Sequence, residues 1–282
     1  MTAFSTDIDS YVASLSARLK RRANGFWASE AMEGVSYPEE FREDFAAIED
    51  SSYWFAHRNL CIISLARRFA PQGPILDIGG GNGAVSAALQ RAGLPAIVME
   101  PGSGGVDVAR SRGLPVIHAT FSSAEIIDGS MAAAGLFDVI EHIADERGIL
   151  HALHRALTTS GWLYLTLPAF TWLWSSEDND AGHFRRYSIG SARSALTDAG
   201  FDVVFASYMF HPLVVPVLLF RSAPSMFGQL KRSKRDTRRD HRLPDNALGR
   251  CISHLLAAEA SRIEGGRRVP FGSSVLLVAR KR

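Results

Sequence analysis

Cysteine is nearly absent: Cys61 and Cys251 are the only two in 282 residues. Two isolated thiols supply neither a zinc-ligand spacing nor a disulfide framework, which fits a reducing, cytoplasmic setting. An excess of one charge is lacking too. Lys plus Arg number 31 against 29 Asp plus Glu, a net +2. Bulk attraction to nucleic acid is therefore not expected. No stretch reaches the roughly 18–20 apolar residues that span a bilayer. Residues 1–16 lack a basic start followed by an apolar run, so no signal peptide is read there. Internal repeats are missing as well. What is present is 46% hydrophobic residues, enough core for one large domain or for a domain with a substantial insertion.

The most informative stretch is Pro74-Ile75-Leu76-Asp77-Ile78-Gly79-Gly80-Gly81-Asn82-Gly83. An apolar strand carries an acid near its end and turns through glycines into a helix expected over residues 84–92. Glycine lets backbone approach a ligand closely, and the helix start offers free N–H groups with a partial positive charge. Such a loop receives a nucleotide-like cofactor at the carboxyl end of a parallel strand. Gly79, Gly81 and Ala84 also satisfy the G-x-G-x-x-G/A pattern of dinucleotide binders, so a nicotinamide oxidoreductase stands as the alternative. Asp77 argues against it, because a carboxylate repels a pyrophosphate but attracts an ammonium or sulfonium. Glu100, ending the next apolar strand, suits two ribose hydroxyls of either cofactor. The bland reading is a strand-turn-helix with no ligand. An acid, glycines and a second acid in one βαβ unit weigh against it.

Along the chain, residues 1–50 read as a helical cap, with helices over 11–22 and 38–48. The run Tyr53-Trp54-Phe55-Ala56-His57-Arg58-Asn59 leads into an apolar helix over 60–69. Strands follow at 74–78, 96–100, 115–118, 131–137 and 162–167, alternating with helices, and residues 158–161 read as a turn. Alternation at this spacing indicates a Rossmann-like α/β fold, a parallel doubly wound sheet. A helix over 188–200 and a strand over 201–208 precede an insertion, 209–269. The last strand, 273–280, closes an antiparallel pair. The domain accordingly comprises 51–208 plus 270–282.

Asp77-x-Gly-x-Gly-x-Gly, Glu100, Asp138-Val-Ile-Glu141-His142-Ile and Leu165-Thr-Leu-Pro168 together resemble the class I S-adenosylmethionine-dependent methyltransferases. The likeness covers roughly residues 50–208 and the last strand. Tyr53 to Asn59, Leu173-Trp174-Ser175, Gly182-His183-Phe184-Arg185-Arg186-Tyr187 and Pro270-Phe271-Gly272-Ser273-Ser274 are similar to a bacterial subgroup with varied acceptors. The resemblance implies seven strands, the last antiparallel, and methyl transfer from S-adenosyl-L-methionine. It implies that Asp77, Gly79 and Gly81 line the methionine end, Glu100 holds the ribose and Pro101 packs on the adenine. Relatives often carry an acid after the third strand. Here Thr120 stands in for it, and Phe121 packs on the ring. Arg58 would meet the cofactor's carboxylate.

Residues that follow the fourth and fifth strands stand at the mouth of such a sheet. Asp138, Glu141 and His142 carry three readings. Similarity to ubiquinone-pathway O-methyltransferases implies a divalent metal, with these three as ligands. A helix cap closing the cofactor pocket is favoured over it. His142 or Asp138 as general base is the third. In the loop 168–188, His183 can take a proton near neutral pH. Trp174 and Tyr187 can wall an aromatic acceptor, and Arg185 and Arg186 can hold an anionic one. The competing reading pairs Asp178 or Asp180 with these arginines to shape a lid.

The insertion joins an apolar stretch, 208–220, to the basic run Lys231-Arg232-Ser233-Lys234-Arg235 and Arg238-Arg239. Apolar beside basic describes a peripheral membrane contact. A helix packed on the sheet or on a second subunit, as in a homodimer, is favoured over it. The reading as a whole is a methyltransferase for a small-molecule acceptor, without nucleic-acid partners. A catalytically silent S-adenosylmethionine-binding regulator is the remaining alternative.

Overall fold

The computed structural model describes residues 8–30, 42–226 and 243–282. Its centre is a run of alternating elements: β3 (Ile75–Ile78), α4 (Ala84–Arg91), β4 (Ala96–Met99), α5 (Ser103–Ser111), β5 (Val116–His118), β6 (Met131–Phe137), α6 (Glu146–Ala156) and β7 (Leu157–Pro168). Then come α7 (Ser176–Asp180), α8 (Ile189–Asp198), β8 (Phe201–Met209), α9 (Val214–Val217), α10 (Ala223–Met226), α11 (Ala247–Glu264) and β9 (Ser274–Lys281). Ahead of the centre lie α1 (Ile8–Leu15), β1 (Leu19–Arg21), β2 (Trp27–Ser29), α2 (Arg42–Ser51) and α3 (Tyr53–Arg68).

The sheet order is β1-β2-β5-β4-β3-β6-β7-β9-β8. Strands β5, β4, β3, β6 and β7 are parallel, and β9 runs antiparallel between β7 and β8. Those seven strands match the expected core. Helices cover both faces, so the strands are buried on both sides. Leu163, Leu165 and Leu167 of β7 face a cluster with Leu150 and Leu153 of α6 and Leu196 of α8. Tyr164 faces the other cluster, with Cys61, Ile62 and Leu65 of α3 and Leu256 and Ile263 of α11. The alternation is the two-residue period of a strand.

Three local expectations change. The helix expected over 11–22 stops at Leu15, and a hairpin follows. Its turn passes through Gly25 at φ 88, where a left-handed residue is needed and glycine is unstrained. Strand β2 then pairs parallel with β5, so the sheet has nine strands, and between α1 and α2 the described residues hold this hairpin in addition to the expected helices. Of the helix expected over 38–48, residues 42–48 fall within α2, which runs on to Ser51, and residues 31–41 lie outside the described residues. The turn at 158–161 is a bulge within β7. The register steps from Met131 opposite Leu157 to Ala133 opposite Trp162, with Ser160 at φ 64. A bulge of this kind leaves residues unpaired but keeps the strand in its sheet.

In the insertion, α11 packs along α3. Glu259 on α11 is buried. It accepts the backbone N–H groups of Phe210 (2.6 Å) and His211 (2.7 Å), and its Oε1 lies 2.7 Å from His57 Nε2. The basic run 231–239 lies outside the described residues. Among the described residues no helix is long and apolar enough to cross a membrane.

Candidate active site

A cleft of about 1110 Å³ opens at the carboxyl ends of β3, β4 and β6. That is at the upper end of the ~300–1,000 Å³ of ordinary small-molecule pockets. Its floor is the glycine loop. Gly79 and Gly80 donate to the Met99 carbonyl at 2.8 and 3.3 Å, fastening the loop to β4. Two glycines are needed for different reasons. Gly83, at φ 73, begins α4, and a Cβ there would collide with Leu114 Cδ1. Gly81, at φ 54, has nothing within 4 Å of where a Cβ would stand and lines the cleft. Gly83 serves packing, and Gly81 leaves open space for a ligand.

Glu100 is pinned behind Gly81. Its two carboxylate oxygens accept Gly81 N–H at 2.9 Å and Gly102 N–H at 2.7 Å. Pro101, Ala119, Thr120 and Phe121 make the wall beside it. Thr120 closes a turn on itself: its hydroxyl accepts Ser123 N–H at 2.9 Å, and Ser123 Oγ accepts Thr120 N–H at 3.0 Å.

Asp77 is not part of the wall. It is 1% exposed beneath the loop and accepts the Ser86 hydroxyl at 2.7 Å. Burial pushes its carboxyl up to about 6, opposed by the Ser86 hydrogen bond and the Arg58 charge. A Cβ on Gly80 would lie 2.9 Å from that carboxyl group. Asp77 therefore supports the loop from below rather than lining it.

At the other end, Ser52 caps α3 by accepting from Trp54 N–H at 3.1 Å and Phe55 N–H at 3.5 Å. The cap fixes the start of α3, and Arg58, nearly two turns on, lines the cleft. Its guanidinium carbon lies 4.9 Å from the centres of both the Trp54 and Phe55 rings, within cation–π range. Its Nη1 donates to Asp138 Oδ2 at 2.7 Å. Asp138 sits at φ 58 directly after β6, an uncommon conformation for a residue with a side chain.

His142 and His183 meet with ring centres 4.6 Å apart, both at the cleft. Phe184 N–H donates to the Glu141 carbonyl at 2.8 Å, joining the loops after β6 and β7. Burial, then the His183 charge, pushes His142 down to about 4. Burial and the Asp138 charge push the Glu141 carboxyl well above the usual range. One donor atom each from Glu141, His142 and His183 lies within 4.8 Å of the others, so these three could hold a metal ion. The expected set of Asp138, Glu141 and His142 is not assembled, because Asp138 turns to Arg58.

The remaining loop residues turn inward. Arg186 forks onto Asp178, with Nε to Oδ1 at 2.7 Å and Nη2 to Oδ2 at 3.0 Å. Arg185 donates to the carbonyls of Ile143 and Ala144 at 2.8 Å each, with Glu146 at 3.5 Å. Trp174 Nε1 donates to Asn179 at 3.1 Å, and Tyr187 is buried at 4% exposure. None of these four lines the cleft. The lid reading of Asp178 with an arginine describes this loop, and the acceptor-clamp reading of Arg185 and Arg186 does not.

Trp54 and Phe55, which the sequence offered either as a cover for the cofactor or as a core staple, line the cleft, whereas Glu49 and the start of α6 (Asp145, Ile149 and Ala152) were not read from the sequence. Glu49 pairs with Arg112 at 3.2 Å. No local pattern marks it. Asp178 had a local signal, since Ser175-x-x-Asp178 forms a capping box at the start of α7.

Comparisons with known proteins bear on this arrangement. The family described as Methyltransferase domain matches residues 54–205. A Mycobacterium tuberculosis protein named a probable S-adenosylmethionine-dependent methyltransferase is 26% identical over 168 residues. That match covers 58% of this chain and 61% of the relative, so the chain spans under two thirds of the relative's length. Two solved structures share the fold. One is an S-adenosylmethionine-dependent methyltransferase from Thermotoga maritima, with TM-score 0.52 and 17% identity, covering 86% of this chain and 98% of that one. The other is phosphoethanolamine N-methyltransferase 2 of Haemonchus contortus in complex with phosphomonomethylethanolamine and S-adenosylhomocysteine. It has TM-score 0.53 and 16% identity, covering 88% of this chain and 59% of that one.

Proposed function

Because the chain belongs to the methyltransferase-domain family over residues 54–205, we propose that it transfers a methyl group from S-adenosylmethionine to a small-molecule acceptor, leaving S-adenosylhomocysteine. The observation that carries this reading is the open space in front of left-handed Gly81, with Glu100 bonded behind it. Arg58 and Asp138 present opposite charges to one end of that space, a match for a zwitterionic amino-acid end. Pro101 and Phe121 present apolar surface at the other, a match for adenine. Glu100, an acceptor at the end of the second core strand, suits the ribose hydroxyls. When bound, the cofactor supplies an electrophilic methyl on a sulfonium. The chain supplies proximity and orientation, which are worth up to ~7–11 kcal/mol of a barrier.

Of the three candidate bases, His183 is supported best. His142, held at about 4, is too weak a base near neutral pH. Asp138 is committed to Arg58. His183 lines the cleft and takes the proton of an O–H or N–H acceptor. The test is calorimetry with S-adenosylhomocysteine and with NAD, then transfer of labelled methyl to a panel of phenolic and amine acceptors. Heat from the first ligand alone is expected. Heat from NAD alone would sink the reading in favour of an oxidoreductase. Binding with no transfer to any acceptor would favour a silent regulator.

One observation favours a second reading. Glu141 Oε2 is buried with no hydrogen-bond partner, as an oxygen awaiting a divalent cation would be. With Nδ1 of His183 turned to Asp178, the ring would ligate through Nε2. Metal analysis of the purified chain and of Glu141→Gln decides it: stoichiometric metal in the first and loss in the second.

A further inference from the structure

We propose that Asp178, clamped by Arg186, is a positioning residue that locks His183 in the Nδ1–H tautomer and so presents the Nε2 lone pair to the cleft. The inference rests on the methyl-transfer reading for its chemical purpose, and on geometry for its substance. Asp178 is 1% exposed. Its Oδ1 lies 2.8 Å from His183 Nδ1 and accepts Arg186 Nε at 2.7 Å. Its Oδ2 accepts Arg186 Nη2 at 3.0 Å, Ser175 N–H at 2.8 Å and the Ser175 hydroxyl at 3.3 Å. Its other partners are all donors (a guanidinium fork, a backbone N–H and a hydroxyl), the surroundings of an ionised carboxylate.

An ionised carboxylate can only accept. The neutral His183 ring must therefore carry its proton on Nδ1, and Nε2 is left with a lone pair. No hydrogen bond to Nε2 is formed among the described residues, while the ring lines the cleft. Arg186 also donates to the Ala169 carbonyl at 3.0 Å, just past β7. The clamp thus ties the histidine to the end of a central strand rather than to a loop tip. Proton transfer then balances simply. The acceptor's X–H bond breaks and its electron pair stays on X. The Nε2 lone pair forms the new N–H bond, and the imidazolium charge stands against Asp178. A carboxylate in this role orients the imidazole and stabilises its charged form without itself taking the proton.

The test is long-range proton–nitrogen correlation of the histidine rings in the uniformly labelled full chain, with S-adenosylhomocysteine calorimetry alongside. In the unmodified protein His183 is expected with Nδ1 protonated and Nε2 bare while neutral. Asp178→Asn puts an amide donor within reach of Nδ1, and the tautomer ratio is expected to move at least fivefold toward Nε2–H. Asp178→Glu should restore the original pattern in part. Binding of S-adenosylhomocysteine should stay within about twofold in both variants, since neither change touches the cofactor cradle. A His183 that carries Nε2–H in the unmodified protein overturns the proposal even if no variant folds. An unchanged ratio in a folded Asp178→Asn overturns it too. Failure of the unmodified chain to bind S-adenosylhomocysteine would overturn the methyl-transfer reading instead and leave the tautomer result standing.

Discussion

Arg58 Nη1 and Asp138 Oδ2 are 2.7 Å apart across 80 residues of chain. The pair joins an aromatic helix start to the turn after a central strand. It explains why a charged side chain at 7% exposure is tolerated in an apolar helix: the guanidinium has an anion and two ring faces. Breaking a buried pair by removing one partner costs ~3–5 kcal/mol. Arg58→Met should approach that loss in urea denaturation and weaken S-adenosylhomocysteine at least ~10-fold, ~1.4 kcal/mol, in calorimetry.

Gly81→Ala and Gly83→Ala should separate. Both place a side chain in left-handed backbone, at ~1–2 kcal/mol. At Gly83 the new methyl also meets Leu114, adding ~1–3 kcal/mol of overpacking. At Gly81 it meets nothing but the cleft. The expected outcome is a large fall in urea midpoint for Gly83→Ala. Gly81→Ala should show a small fall in midpoint with near-complete loss of cofactor binding.

His142 makes an acid-side prediction. Its folded value, about 4, lies below the ordinary 6.5. The unfolded chain therefore binds more protons between those values, and stability falls as pH drops from about 6.5 to about 4. His142→Gln should remove this part of the slope, so melting temperatures of variant and parent converge or cross below pH 6.5. Asp77 acts the other way. With its folded value raised to about 6, it adds stability as pH falls from about 6 to 3.8, and both proteins retain that contribution.

Glu259 joins the insertion helix to α3 through His57 and to the end of β8 through two backbone N–H groups. Glu259→Ala strands all three partners, and a loss of ~3–5 kcal/mol is expected. Glu259→Gln keeps an acceptor oxygen and should lose nearer ~1–3 kcal/mol. Urea titration of the two variants checks the ordering.

The central strands were legible because a strand buried on both faces must be a short apolar run, as at Ile75–Ile78 and Ala96–Met99. The N-terminal hairpin was not. Leu19–Arg21 and Trp27–Ser29 are three residues each, too short to show a period, and they become strands only by pairing with each other and with β5. Arg185 and Arg186 misled for a related reason. Adjacent arginines at a cleft mouth look like an anion clamp, but local carbonyls and a buried aspartate already hold both.

By itself, the chain's order of residues determined the α/β alternation, the glycine turn and the acid at Glu100. Each depends on neighbours within one βαβ unit, where backbone conformation and periodicity decide the outcome. Tertiary structure alone decided that Asp77 lies beneath the loop, that Asp138 answers Arg58, and that His183 meets His142 on one side and Asp178 on the other. A side chain's charge state and free lone pair depend on what the fold places beside it. In the pairings of Arg58 with Asp138 and His183 with His142, the partner comes from a distant part of the chain.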